Sequence, residues 1–408
     1  MAILLLVVLL IGFCVWQIGR AAGATLPTAT VEETPIEIPA GDKVDVDVPS
    51  YGAGAVTALG YDAKTGLKDP EAEPKAMVKF GSGKARPIGS VAKVITALMI
   101  VEARPLKGGD GPSITLTEQD VRFYEETLAE GGSNAPATAG TTITERQGLA
   151  LMLIPSANNY SKSLAVWAYG SYDNFLSESR TWLDQHGLED TVLADSSGLS
   201  EDTVSTPADL LKIGQLLTED KGLSELVAMK RITVPGVGTV KNTNQTLDKK
   251  GIDGIKTGTT RGAGSCLLFS FDRKVGGEKV TMVGVFLGAP SHPTLDQDLL
   301  RLIPSFNDEF STVKPLKNGA TLATATSPWG QEADLRATRG ITVKAWGPVT
   351  VETKLEMPEI REIQQNQQVG HSEAVVNGKK MTIPLSSSST ISDPGLKWRV
   401  QHRDQLTY

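Results

Sequence analysis

The chain opens on "AILLLVVLLIGFCVWQIG", a run in which no residue from Ala2 to Trp16 carries a charge, and this feature constrains everything that follows. A helix rises about 1.5 Å per residue, so the run with its flanks nearly matches the ~30 Å apolar thickness of a bilayer. The rest of the chain is therefore expected outside the cytoplasm, by one of two routes. Either residues 1–24 stay as a membrane anchor, or they are a signal peptide removed at the small residues Ala22-Gly23-Ala24. No Lys or Arg precedes the run, which makes the anchor the preferred expectation.

Residues 25–50 are rich in Thr, Pro and acidic residues with little bulky apolar content, and read as a linker. At 408 residues the chain is too long for one ordinary domain. The expected division places an α/β (α+β) domain over residues 51–312. From about residue 313 to 408 short alternating segments such as "ITVKAWG" and "VTVETKLE" give a small all-β domain without a helix.

A net charge of −7 disfavours nucleic acid, whose phosphates require concentrated Lys and Arg. The two cysteines, Cys14 in the apolar run and Cys266 far downstream, offer no disulfide framework, and a bulky Phe13 makes "IGFC" a poor lipidation box. The four histidines lack metal-ligand spacing, so neither a metal nor an organic cofactor is expected. His292 in particular reads as a loop-packing residue.

Chemistry must then come from hydroxyls and amines. Serine with lysine at i+3 occurs twice, at Ser90/Lys93 and Ser311/Lys314. Ser90 opens "SVAKVITALMIVEA", an apolar helical stretch that would set both side chains on one face a turn apart. Lys314 precedes Pro315 at a domain boundary, where no helix would align the pair. Ser-x-Asn also occurs twice, at Ser156/Asn158 after a helix ending near Pro155, and at Ser305/Asn307. Lys-Thr-Gly occurs at Lys64 in the turn "DAKTG", and again at Lys256 on an apolar strand where Gly258 lets a ligand lie close.

Only Ser90, Ser156 and Lys256 give the order S-x-x-K, S-x-N, K-T-G, each in a fitting local setting, which is the signature of penicillin-binding proteins and serine β-lactamases. Over roughly residues 52–312 the chain resembles the D-alanyl-D-alanine carboxypeptidases of the low-molecular-mass penicillin-binding proteins, serine peptidase family S11. The stretches that carry this are "IGSVAKVITALMIVE", "LMLIPSANNYSKSLA", "DSSGLSEDTVSTPADLLKI" and "IDGIKTGTTRGAGSCLLFS".

The resemblance implies the penicillin-binding protein/β-lactamase-like fold, an antiparallel sheet flanked by helices. It implies a serine-type carboxypeptidase that removes the terminal D-alanine from peptidoglycan stem peptides and is blocked covalently by β-lactams. Ser90 is then the nucleophile and Lys93 its base, a role that requires Lys93 neutral; burial and the second cation Lys256 both push in that direction. By resemblance Ser156 relays a proton to the leaving amine, Asn158 orients Lys93 and the substrate, and the backbone N–H groups of Ser90 and Thr259 form the oxyanion hole. Lys256, Thr257, Gly258 and Thr259 hold the substrate, the first, second and fourth through its carboxylate.

Gly89, Ala92 and Ala157 depart from residues common in the family, and "SHPTLDQ" lacks the arginine that some relatives place for the substrate carboxylate. The usual C-terminal amphipathic anchor is also missing, which again favours the N-terminal segment as the tether. A D,D-endopeptidase cutting cross-links, or a penicillin sensor or wall-binding protein without turnover, are the alternatives. A class A β-lactamase would need an E-x-x-L-N element, absent between Asn158 and Lys256.

Overall fold

The computed structural model describes residues 2–36, 44–306 and 309–408. The chain forms two compact units. One is the continuous stretch Lys43–Ser311; the other joins Met1–Asp42 to Thr312–Tyr408.

In the continuous unit, a five-stranded antiparallel sheet has the order Ile252–Thr260, Gly264–Val275, Glu278–Ala289, Ala53–Ala58, Val78–Gly81. Its middle strands are apolar on both faces because helices cover both. On the face of Leu268 and Val283 packs the helix Pro207–Glu219, whose Gly214 comes so close that a Cβ there would meet Val283 at 2.4 Å. On the other face Phe271 meets Phe306, just past the helix His292–Ser305. The edge strand Ile252–Thr260 carries the Lys256 motif and has no sheet neighbour on its outer side.

The helix Ala92–Ala103 is buried from Ala92 through Val101, which explains why its sequence is apolar all round instead of striped. Thr206 caps Pro207–Glu219 as its sequence suggests, accepting from Asp209 N with Pro207 in the first turn. Thr142 and Glu145 have capping-box spacing, but the box forms two residues later: Thr144 Oγ1 accepts from Gln147 N and Gln147 Oε1 accepts from Thr144 N. Thr142–Thr144 pairs instead with Ser113–Thr115 as a short strand, so the helix starts at Glu145. The hairpin Arg231–Val234/Gly238–Lys241 likewise stands apart from the main sheet.

In the second unit, the six-stranded order is Thr30–Glu33, Thr321–Thr326, Glu332–Ala337, Lys379–Ser387, Gln368–Val376, Val351–Glu356. This corrects the linker expected over residues 25–50. Thr30 to Glu33 pair antiparallel with Thr326 to Ala323, so the acidic, Thr-rich stretch completes a sheet edge whose partner strand lies almost 300 residues away. Residues 37–43 of the expected linker lie outside the described residues. A second correction concerns the all-β tail: Leu396–Gln401 forms a short helix, too brief to show a helical period in the sequence.

Candidate active site

Residues Gly89–Val91 form one tight helical turn that leads directly into Ala92–Ala103. Ser90 thereby stands at the head of a buried helix with Lys93 one turn on, and Lys93 Nζ lies 2.8 Å from Ser90 Oγ. The same nitrogen lies 2.7 Å from Asn158 Oδ1 and 3.0 Å from the carbonyl oxygen of Ser197. An amide oxygen and a backbone carbonyl only accept. A neutral amine has two N–H bonds and one lone pair, so those two acceptors take its hydrogens and leave the lone pair facing Ser90.

Lys93 is fully buried. Burial, and then the charge of Lys256, hold its pKa well below the usual lysine range, against a smaller opposing pull from Asp195. Lys256 is also buried, donates to its neighbour Thr257 O at 2.9 Å, and is pushed by burial down to about 7.

The edge strand brings its motif to the nucleophile through a glycine. A Cβ at Gly258 would meet Ile88 O at 2.7 Å, Ser90 N at 2.9 Å and Val91 N at 3.1 Å, so only glycine lets the strand pass this close. Gly89, with φ +54°, faces the same contact: a Cβ there would lie 3.1 Å from Thr259 N. The two backbone nitrogens expected to form the oxyanion hole, Ser90 N and Thr259 N, are thus brought to one spot by a pair of glycines. Gly89, a departure from the residue common in the family, adopts a left-handed conformation that favours glycine.

Ser156 is buried and has φ +66°, an uncommon backbone state for serine that often marks a functional position. It follows the helix Glu145–Leu153 and precedes Asn158–Tyr169, whose entry is tied down by Asn158 N donating to Ser133 O at 2.7 Å. Side chains alternate along the strand, so Lys256 and Gly258 share one side and Thr257 and Thr259 the other. Thr257 Oγ1 pairs with Thr243 Oγ1 at 2.6 Å, and Thr259 Oγ1 with His292 Nε2 at 2.7 Å. This contact replaces the loop-packing expectation for His292 with a place beside the motif.

Sequence reasoning also missed how Ser197 is held. Asp195 accepts from Ser197 Oγ, Gly198 N, Leu199 N and Thr203 Oγ1, folding "DSSGL" into a turn that presents the Ser197 carbonyl to Lys93. The stretch itself was visible; its carbonyl was not.

The decoy motifs lie elsewhere. Lys64 is exposed in a turn closed by Asp62 and Thr65. Ser311 and Lys314 lie on the strand Phe310–Leu316, whose period sends positions three apart to opposite faces. Ser305 Oγ donates to Leu302 O within its own helix, and Asn307 lies outside the described residues.

A sheet with a Ser-Lys pair behind its edge strand defines the penicillin-interacting class of serine hydrolases. Residues 74–290 match the model of the S11 peptidase family, described as D-alanyl-D-alanine carboxypeptidase. An Escherichia coli D-alanyl-D-alanine endopeptidase is 29% identical over 45% of this chain, and the match spans 58% of that relative's length. The carboxypeptidase DacC of the same organism is 24% identical over 94% of both chains. Among solved structures, penicillin binding protein 5 of Haemophilus influenzae aligns over 88% of this chain and all of its own, with TM-score 0.57 at 17% identity. The Streptomyces K15 DD-transpeptidase aligns over 64% of this chain and 98% of its own, at TM-score 0.54 and 24% identity. The chain belongs to the S11 family of D-alanyl-D-alanine carboxypeptidases.

Proposed function

We propose that the protein is a serine-type D-Ala-D-Ala carboxypeptidase acting on peptidoglycan stem peptides outside the cytoplasm, and that β-lactams acylate it. The observation that carries this is the Lys93 amine, buried and between Ser90 Oγ, Asn158 Oδ1 and Ser197 O. Neutral Lys93 takes the proton of Ser90 as Oγ attacks the carbonyl of the penultimate D-alanine. The oxyanion is met by Ser90 N–H and Thr259 N–H, donors of a kind worth about 3 to 4 kcal/mol each. Ser156 passes a proton to the departing D-alanine nitrogen as the C–N bond breaks, and water then hydrolyses the ester on Ser90.

Carboxylate recognition falls to the hydroxyls of Thr257 and Thr259, which share a side of the strand, with Lys256 contributing its charge from the other side. His292, hydrogen-bonded to Thr259, supports the same subsite from the adjoining helix. The N-terminal apolar segment, long enough to span a bilayer, supports an activity carried out beside the membrane.

The endopeptidase relative at 29% identity favours one second reading, cleavage of D-Ala cross-links by the same Ser90 chemistry with a larger leaving group. Intact mass after incubation with fluorescent penicillin, and D-alanine release from a D-Ala-D-Ala pentapeptide and from a cross-linked dimer in separate penicillin-free samples, separate the possibilities. The expected outcome is a stable adduct and free D-alanine from the wild type, neither from Ser90→Ala, and both from Lys64→Ala and Ser311→Ala. An adduct in Ser90→Ala would remove Ser90 from the mechanism. An adduct with release only from cross-linked dimers would favour the endopeptidase.

A further inference from the structure

The end of the apolar helix Ala2–Gly23 is built into the β-rich unit. Ala21 is fully buried, Ala24 and Leu26 nearly so, and they cluster with Leu406, Trp329, Trp398 and Val400. Arg399, itself only 9% exposed, donates from Nη1 to Ala24 O at 2.6 Å and to Ala21 O at 3.3 Å. It therefore caps the carbonyls that a helix C-terminus leaves unpaired, with a cation at the negative end of the helix dipole. Its Nε and Nη2 donate to Asp393, which holds the guanidinium in place. Just beyond, Thr25 and Thr407 exchange both backbone hydrogen bonds, at 2.8 and 3.1 Å, and Thr30–Glu33 joins the sheet edge.

These contacts make Ala21, Ala24 and Leu26 part of the folded unit's own core, a contribution that a removed leader would not supply. A cut after Ala24 would remove Ala21 and Ala24 from the cluster and strip Arg399 of two acceptors, and a buried charged donor left unmatched costs more than the bond was worth. The remainder of the helix has the opposite character. From Ile3 to Ile18 its large apolar side chains are 41–82% exposed.

Aromatic and cationic groups gather where the bare helix meets the folded unit. Arg20 lies over the rings of Trp16 and Tyr408, at 5.0 and 4.5 Å from their centroids. Trp16, Tyr408 and Leu396 are exposed, Trp398 and Trp329 pack edge to face beside them, and Lys397 and Arg403 are exposed on the same terminal segment. Trp and Tyr with Lys and Arg is the composition found at a lipid headgroup layer.

We infer that Ala2–Gly23 is retained as a permanent membrane anchor, and that the β-rich unit is clamped to it through Arg399 and seated on the lipid headgroups by Trp16, Trp398 and Tyr408. The inference rests on the reading that the chain works outside the cytoplasm, and it makes Thr25–Glu33, expected as linker, part of the anchored β-rich unit.

The full chain, with its natural N-terminus, is expressed in a bacterial inner membrane and its intact mass measured after an alkaline carbonate wash. The expected result is a membrane-bound protein that still carries the apolar segment; a soluble protein beginning at Thr25 overturns retention. Arg399→Ala should speed amide exchange at Thr25 and Thr407 by about tenfold or more, the loss of a charge-assisted bond, with penicillin labelling of Ser90 unchanged. Unaltered exchange overturns the clamp. In vesicles of phosphatidylglycerol and phosphatidylethanolamine brominated near the glycerol, Trp398→Phe should lose part of the tryptophan quenching seen in wild type. Equal quenching overturns the seating on lipid. A wild type that keeps its anchor but takes no penicillin would overturn the carboxypeptidase reading and leave the anchor standing.

Discussion

The strands of the two units bury their side chains in opposite ways. In the continuous unit Ala53–Ala58 is buried at every position, and Gly264–Val275 at every one from Ser265 to Phe271, because helices cover both faces of the sheet. In the β-rich unit Val351–Glu356 alternates position by position between exposed and half-buried, and Ile341–Trp346 follows the same period of two. A sheet with a wet face can satisfy polar groups anywhere on that face. A sheet sealed on both sides can bury a charged group only at a cost that shifts its protonation or demands partners, which is the situation of Lys256 on the edge strand and of Lys93 near it. Perturbed lysines therefore belong to the sealed unit, and the one deeply buried cation described in the other unit, Arg399, works as a structural cap.

The sharpest way to break this contrast is to prise the edge strand away from the nucleophile. Gly258→Ala places a methyl group against Ile88 O and Ser90 N, and backbone cannot yield as a flexible side chain would. The two backbone N–H groups proposed as oxyanion donors would shift, so the acylation rate by penicillin should fall by about 10²-fold or more, read by stopped-flow labelling, while circular dichroism stays unchanged. A rate within a few-fold of wild type would mean the close approach is not needed.

His292→Gln sharpens the comparison at the rim of the sealed unit. If His292 supports carboxylate recognition through Thr259, hydrolysis of the free-acid D-Ala-D-Ala peptide should lose about fivefold in kcat/KM, the worth of one hydrogen bond. The C-terminal amide of the same peptide should not change. Equal losses for acid and amide would instead assign the histidine to packing.

The smallest effect tests burial without function. Glu145 is fully buried, both carboxyl oxygens lack hydrogen-bond partners, and burial pushes its pKa up to about 7, with Arg104 pulling the other way. The folded state then keeps a proton that the unfolded chain has lost above its ordinary value of about 4.3. Stability should consequently fall as pH rises from about 4.3 to about 7 and stay lower above that. Glu145→Gln removes the titration, so the difference in Tm between pH 5 and pH 8 should shrink by a few degrees, corresponding to about 1–3 kcal/mol of avoided desolvation. An identical pH dependence in both proteins would show that the carboxyl finds solvent.

How far the site could be read from sequence depended on distance along the chain. Ser90 and Lys93 were legible because three residues on a helix fix a shared face whatever the rest of the fold does. Thr206 and Pro207 marked a helix start for the same local reason. The Ser197 carbonyl, 104 residues from Lys93, and His292, 33 residues from Thr259, were not legible, since no local rule brings such positions together. The linker was misjudged likewise. "TVEE" carries no strand signal of its own and becomes a strand only because Thr321–Thr326 offers it an open edge.

By itself the sequence determined the family, an apolar N-terminal segment of bilayer-spanning length and the pairing of Ser90 with Lys93, and it named Ser156 and Lys256 as candidates beside that pair. Each follows from composition or short-range spacing, which backbone geometry converts into structure without knowledge of distant contacts. Only the tertiary structure decided which carbonyl completes the coordination of the Lys93 amine, that Gly89 and Gly258 gather two backbone nitrogens, and that Arg399 caps a helix 375 residues upstream through Ala24 O. Those outcomes turn on a few tenths of an ångström between segments far apart in the chain. Packing sets such distances, and no pattern of neighbouring residues encodes them.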